Sequence, residues 1–137
     1  MRKEDFAARP HRVIARAFPD GQSAYLALAQ ILTRSGQREK NPRVSGSICD
    51  ALMAQSPGKL TFEINRALIG DGVSATDEEA GRAVAFAFHE LKLVVEPGGA
   101  VALAALLAGK VDVRGKVAVA VLSGGNVDPE LFAKLVA

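Results

Sequence analysis

Lys116-Val117-Ala118-Val119-Ala120-Val121-Leu122-Ser123-Gly124-Gly125-Asn126 is the stretch that decides the fold. From Val117 to Leu122 every residue is apolar, with no polar position alternating among them. Valine is β-branched and fits a pleated strand better than a helix. At ~3.3 Å per residue the run spans about 20 Å, the length of an ordinary strand. A strand apolar on both sides belongs to a sheet covered on both faces, as parallel sheets are. The run stops at Ser123-Gly124-Gly125-Asn126, and Asp128-Pro129 follows. Aspartate is a good helix cap and proline suits the first helical position, so a helix begins there. Strand, turn and helix in that order predict an α/β layered fold.

The same pattern recurs upstream. Leu93-Val94-Val95 reads as a brief strand, Glu96-Pro97-Gly98-Gly99 as a turn, and Ala100 to Ala108 as a helix ended by Gly109. Thr76-Asp77-Glu78-Glu79 has capping-box spacing, and its acids complement the positive end of a helix dipole. In the helix that follows, Ala80, Val84, Ala87, Phe88 and Leu91 form an inward stripe, with His89 beside it as a boundary residue. Leu60, Ile64 and Leu68 share one face of a helix expected from Leu60 to Ile69. Gly70-Asp71-Gly72 stops it, and Val73 begins an extended piece. Ile48 to Met53 suits a short helix. Further back, Tyr25 to Thr33 fits a helix and Arg12-Val13-Ile14-Ala15 a short strand. Arg34 to Ser47, with its charges, glycines and Pro42, reads as loop.

A chain of 137 residues suits one domain, and such a chain buries roughly 70% of its unfolded surface. Aromatics make up 5% and tryptophan is absent, so the core must be built from Ala, Val, Leu and Ile. The net charge of +2 is too small to argue for a nucleic acid or an anionic membrane. The basic residues Arg34, Arg38, Lys40 and Arg43 cluster without interleaved aromatics and read as a solvated surface. The longest apolar run, Ala100 to Ala108, falls well short of the ~20 residues of a membrane span. Met1 to Asp5 is charged with no apolar stretch behind it, which does not match a signal peptide. The single cysteine, Cys49, has no partner and no metal spacing. It reads as a packed thiol in a reducing, cytoplasmic setting.

In a parallel sheet, ligands bind beyond the carboxyl ends of the strands. Two such ends are polar here, Glu96-Pro97-Gly98-Gly99 and Ser123-Gly124-Gly125-Asn126. Ser123 is the first polar side chain after the apolar run, so its hydroxyl emerges at the strand end, able to donate one hydrogen bond and accept others. Gly124 and Gly125 let the backbone pass close to a ligand. The same residues equally suit a tight turn with a satisfied serine, and Glu96 a plain carboxylate at a turn. Neither a dinucleotide-binding nor a P-loop fingerprint is present.

Leu91-Lys92-Leu93-Val94-Val95-Glu96-Pro97-Gly98-Gly99-Ala100, followed by Val121-Leu122-Ser123-Gly124-Gly125-Asn126-Val127-Asp128, resembles the C-terminal signature of threonine dehydratases and serine racemases. These are fold-type-II pyridoxal phosphate enzymes of the tryptophan synthase beta-like superfamily. The resemblance extends to Ser47-Ile48-Cys49-Asp50-Ala51-Leu52 and Thr61-Phe62-Glu63-Ile64-Asn65, and so covers residues 47–137; residues 1–46 form a divergent lead-in. It implies a single truncated domain, a three-layer partial parallel sheet with helices on both faces that corresponds to part of the family's large domain. It also implies that Ser123 hydrogen-bonds the pyridine nitrogen of pyridoxal phosphate and that Glu96 and Asn126 lie in the network around the ring. Gly98, Gly99, Gly124 and Gly125 would give clearance. The activity implied is dehydration of L-threonine or L-serine to 2-oxobutanoate or pyruvate plus ammonia.

Departures from the family pattern bear on that activity. A full enzyme carries its cofactor as a Schiff base on a lysine in an S-x-K-x-R-G-type motif and holds the phosphate in a run of about four glycines. None of Lys3, Lys40, Lys59, Lys92, Lys110, Lys116 or Lys134 has such a setting, and no run here exceeds two glycines. The chain alone is therefore expected to be inactive, with no catalytic residue of its own. Some members bind a divalent cation through acids after the strand aligned with Val13-Ile14-Ala15; Phe18-Pro19-Asp20 does not match that pattern, so no metal site is expected. A sheet supplied in part leaves edges uncovered, and the expected partners are a second copy or a complementing N-terminal half. A complemented site would take a small amino acid. The alternatives are a non-catalytic small-molecule or protein-binding module on the same fold, and a gene remnant.

Overall fold

A computed structural model of the chain describes residues 14–18, 37–38, 45–53, 56–65 and 72–137. The elements in order are β1 (Ile14–Phe18), a 3-10 turn (Asp50–Leu52), α1 (Lys59–Asn65), β2 (Gly72–Thr76), α2 (Asp77–His89), α3 (Pro97–Leu107) and α4 (Pro129–Val136). The helix expected at 25–33 and the positions expected to lack metal-binding acids after Phe18 lie outside the described residues.

β1 and β2 pair in parallel, with Ile14 opposite Gly72 and Phe18 opposite Thr76. Parallel neighbours require a crossover between them, and α1 lies in that connection. Helix α3 packs against both strands, α2 packs alongside α3, and α4 packs on α2. The α/β class therefore holds, on a sheet of two strands among the described residues.

Helix α2 starts as the sequence requires. The Glu79 amide donates to Thr76 Oγ1 at 3.1 Å, and the Thr76 amide donates to Glu79 Oε2 at 2.7 Å. Two amides that a bare helix end would leave unpaired are satisfied reciprocally. Ala80, Gly81, Ala83, Val84 and Ala87 are buried. The expected stripe fails at its far end, where Phe88 is 37% and Leu91 45% exposed. Phe88 instead meets Phe132 of α4 edge to face, with centroids 5.3 Å apart, and the His89 ring lies 2.9 Å from the Val136 carbonyl. Lys92, at φ 60°, then takes the left-handed turn that ends the helix, and the Leu93 amide donates back to the Ala87 carbonyl.

The core is built mainly from alanine. Ala75, Ala83, Val84, Ala87, Val95, Ala100 and Ala104 form one buried cluster; Cys49, Ala80 and Val101 form a second. Small side chains let α2 and α3 approach closely, which replaces the bulk that aromatics would supply. Cys49 is fully buried, as expected. Burial first, and the neighbouring Asp77 carboxylate next, push its thiol up to about 12. Its loop is latched to α2: Ser47 Oγ donates to Asp77 Oδ1 at 2.5 Å, and the Ile48 amide donates to Asp77 Oδ2.

Three expectations are corrected. Leu60 does not lead a buried face of α1; it is 74% exposed, while Phe62 is buried, and the side chains of Ile64 and Leu68 lie outside the described residues. The run Lys116 to Leu122 is not a strand covered on both faces. Val117, Val119 and Val121 are 98%, 85% and 67% exposed, and Val117 to Leu122 exchange no backbone hydrogen bonds among the described residues. Leu122 alone of the run packs against the core. Leu93-Val94-Val95 likewise joins no ladder, and only Val95 is buried. A strand requires a neighbour, and β1 and β2 pair with each other.

Lys110, just after α3, donates to Glu79 Oε2 at 2.5 Å and to the Ser74 carbonyl at 2.8 Å, tying the end of α3 to the start of α2. Burial pushes the Glu79 carboxyl up, but Lys110, the Thr76 amide and Arg82 outweigh it and hold the carboxyl below its ordinary 4.5. A lowered folded value means stability that is fully present above the unfolded value and lost as pH falls through the folded one. Urea unfolding followed against pH should therefore show the midpoint dropping on acidification below about 4.5, with a shallower drop in Glu79→Gln. Thr76→Ala, measured by the same method at neutral pH, should lower stability by about 1 kcal/mol, and Thr76→Ser should recover most of the loss.

Candidate functional site

Glu96-Pro97-Gly98-Gly99 and Ser123-Gly124-Gly125-Asn126, far apart in sequence, are brought into direct contact. The Glu96 amide donates to the Gly124 carbonyl at 3.0 Å, and the Ser123 amide donates to the Gly99 carbonyl at 3.3 Å. The Glu96 carboxylate accepts from the Asn126 amide at 3.2 Å. Three hydrogen bonds thus clamp one turn to the other. Each turn leads into a helix whose first residue is proline, α3 at Pro97 and α4 at Pro129. Asp128 caps α4 by accepting from the Leu131 amide at 2.9 Å, so the register after the glycines is fixed.

The glycines are what make the approach possible. A Cβ on Gly124 would stand 2.9 Å from the Glu96 carboxylate, and the residue holds φ at +123°. A Cβ on Gly99 would meet the Gly124 carbonyl at 3.0 Å, and one on Gly125 the Val94 carbonyl at 2.8 Å. Side chains cannot share space with backbone at those distances. Gly98 differs: its nearest neighbours would be Ala51 and Leu52, at 3.4 and 3.5 Å, an ordinary contact. The clearance these glycines give is thus taken up first by the protein's own turns and by the loop that carries Cys49.

Ser123 and Asn126 are exposed, and Glu96 is half-buried. Among the described residues the Ser123 hydroxyl makes no hydrogen bond; its amide is used, and its side chain is left over. A hydroxyl with no hydrogen bond among the described residues, beside a glycine-lined contact, is a neutral group able to donate to or accept from a ligand. Of the residues the sequence singled out, Glu96 is hydrogen-bonded to Gly124 and Asn126, Ser123 to Gly99, Gly125 lies against Val94, and Gly98 faces the Ala51-Leu52 edge. The Val94 carbonyl and the Ala51-Leu52 edge also border the turns. Neither carries a signal in sequence: one is a backbone atom, the other two ordinary apolar residues.

Lys92, Lys110 and Lys116 flank these elements in sequence and bond away from the two turns. Lys92 Nζ donates to the His89 carbonyl at 2.6 Å, Lys116 Nζ to the Asp112 carbonyl at 3.0 Å, and Lys110 to Glu79.

The family model for pyridoxal-phosphate dependent enzymes matches residues 14–124, well over half the chain. The L-threonine ammonia-lyase of Thermotoga maritima is 35% identical over 102 residues, covering 73% of this chain and 25% of that protein. The catabolic L-threonine dehydratase of Escherichia coli is 38% identical over 88 residues, covering 63% of this chain and 27% of that protein. The chain thus spans about a quarter of the length of these relatives. Among solved structures, a T.th. threonine deaminase superposes with a TM-score of 0.69 at 27% identity, over 85% of this chain and 37% of that one. Maize serine racemase superposes with a TM-score of 0.67 at 24% identity, over 89% of this chain and 46% of that one, a likeness of fold. The chain belongs to the pyridoxal-phosphate dependent enzyme family and is similar within it to the threonine dehydratases and serine racemases of fold type II.

Proposed function

We propose that this chain is the C-terminal portion of a pyridoxal-phosphate-dependent L-threonine or L-serine dehydratase, and that it supplies the contact to the cofactor's ring nitrogen. The observation that carries this reading is the clamped pair of turns with the unengaged Ser123 hydroxyl at their rim. Bound pyridoxal phosphate would supply an electron sink for deamination to 2-oxobutanoate or pyruvate, with release of ammonia. Ser123 would meet the ring nitrogen as a neutral partner, so that the nitrogen is not held protonated as an aspartate would hold it. Glu96 acts through Asn126 and Gly124, keeping the turn that carries Ser123 in place.

The residues present fit one edge of the cofactor. Lys92, four residues before Glu96, donates to the His89 carbonyl, Lys110 and Lys116 lie after the far end of α3, and the sequence has no run of more than two glycines to cradle a phosphate. In this reading the remaining contacts come from a complementing N-terminal portion, and the chain alone does not turn over substrate. Residues 47–137 would then form part of a three-layer parallel sheet with helices on both faces.

A chimera tests this directly. Residues 47–137 replace the matching part of the Thermotoga maritima L-threonine ammonia-lyase, and 2-oxobutanoate release from threonine is measured with pyridoxal phosphate present. The chimera should be active, and Ser123→Ala should cut turnover by about 100-fold, a loss within the range that one well-placed polar group contributes. A folded chimera that binds the cofactor, yet is indifferent to Ser123→Ala, would overturn the assignment. The isolated chain under the same conditions should give no 2-oxobutanoate. In that chain, Gly124→Ala should cost about 1–3 kcal/mol by chemical denaturation, because φ is strained and the Glu96 carboxylate is displaced.

A further inference from the structure

Asp77, the first residue of α2, makes contacts that starting the helix does not require, because Thr76 and Glu79 already satisfy each other there. Asp77 Oδ1 accepts from the Ser47 hydroxyl at 2.5 Å, and Oδ2 accepts from the Ile48 amide at 3.3 Å. The Ser47 hydroxyl in turn accepts from the Cys49 amide at 3.0 Å. One carboxylate thus governs three successive residues of a distant loop. What the loop carries lies beside the site. Cys49 is buried with Ala80 of α2 and Val101 of α3, and Ile48 and Leu52 pack on the same cluster. The 3-10 turn at Asp50–Leu52 rests on α3. Ala51 Cβ and Leu52 Cγ stand 3.4 and 3.5 Å from where a Gly98 Cβ would lie.

We infer that Asp77 is a positioning residue of the candidate site: through Ser47 it seats the 47–52 loop against the first turn of α3. The loop then fixes the Glu96-to-Gly99 turn from its Gly98 side, as Ser123 and Gly124 fix it from its Gly99 side. Asp77 so placed serves the proposed role of Ser123, on which this assignment rests. A core of small residues gives the turn no bulky neighbour to lean on. A misplacement on the order of 1 Å, even far from the chemistry, is enough to slow an enzyme.

Two measurements test the assignment. In the isolated chain Cys49 is the single cysteine and fully buried, so a thiol reagent reaches it only when the loop opens. Labelling should be slow in the native chain and at least ~10-fold faster in Ser47→Ala, because a hydrogen bond to a charged group shifts an opening equilibrium by about that much. The Ser47 hydrogen bond lowers the thiol, so losing it disfavours ionisation, and faster labelling has to come from opening. Ser47→Thr keeps a hydroxyl and should restore slow labelling. In the chimera carrying residues 47–137, Ser47→Ala and Asp77→Ala should each cut threonine turnover roughly 10-fold at saturating substrate and cofactor. Ser47→Thr should recover it. Glu78→Ala removes an exposed acid from the same helix turn and should change nothing. Ser47→Ala leaves α2 untouched, so it carries the test should Asp77→Ala fail to fold.

A double-mutant cycle separates positioning from plain destabilisation. If the loop acts by placing the turn that meets Ser123, Ser47→Ala should cost little more once Ser123→Ala has been made. Equal fold losses in both backgrounds sink the assignment. Rapid labelling of the native chain does so too, as does a Ser47→Ala chimera of unchanged turnover. Should Ser123→Ala prove inert, the reading of Ser123 falls; Asp77 then keeps its role only if Ser47→Ala slows turnover and Ser47→Thr restores it, and loses it otherwise.

Discussion

The amide of Glu96 donates to the carbonyl of Gly124 at 3.0 Å, and the carboxylate of the same glutamate accepts from the amide of Asn126. One residue thus holds the opposite turn by its backbone and by its side chain. The approach this needs is closer than any Cβ permits at Gly124 or Gly125, so those glycines follow from the contact rather than from local flexibility. What lies on either side depends on it. Helix α3 begins at Pro97 and α4 at Pro129, so moving one turn against the other would move a whole helix with it.

The alanine core makes the same demand on a larger scale. Ala83, Ala87, Ala100 and Ala104 sit between α2 and α3, and there is little side-chain bulk there to absorb a shift. A core of small residues tolerates displacement poorly, because contacts fall off steeply with even a sub-ångström gap. The start of α2 is therefore secured by polar means. Thr76 and Glu79 satisfy its first turn, Lys110 ties Glu79 to the end of α3, and Asp77 holds the loop of Ser47. Each of these ties crosses between segments distant in sequence or closes a helix end, where hydrogen bonds add most to a fold with thin side chains.

The elements easiest to read in the sequence were those specified by local chemistry. The capping box at Thr76-Glu79 and the Asp128-Pro129 start need only neighbouring residues, and both stand where the sequence puts them. The two turns were legible for a related reason: a polar residue followed closely by paired glycines marks a turn, whereas the roles of Ser123, Glu96 and Asn126 toward a ring came from the family resemblance alone. Elements that depend on a distant partner were not legible. Leu60 satisfied a helical period, yet α1 turns Phe62 inward, because which face is buried depends on what lies beneath it. The apolar run at 117–122 promised a two-sided strand, and it has neither ladder nor cover among the described residues. Periodicity reports what a segment is suited to, and only packing decides whether the neighbours exist.

That mismatch bears on how the site would work. Ser123 sits where the glycine turn meets an unpaired run, and Leu122 just before it packs against the core. The glycine contact fixes its amide on the Gly99 carbonyl, while the residues before it have no ladder to hold them. A hydrogen bond to a ring nitrogen is useful in proportion to how well its donor is positioned before the ligand arrives. The Leu122 packing and the Gly99 carbonyl position the backbone of Ser123 from both sides, which would leave the hydroxyl to a ligand.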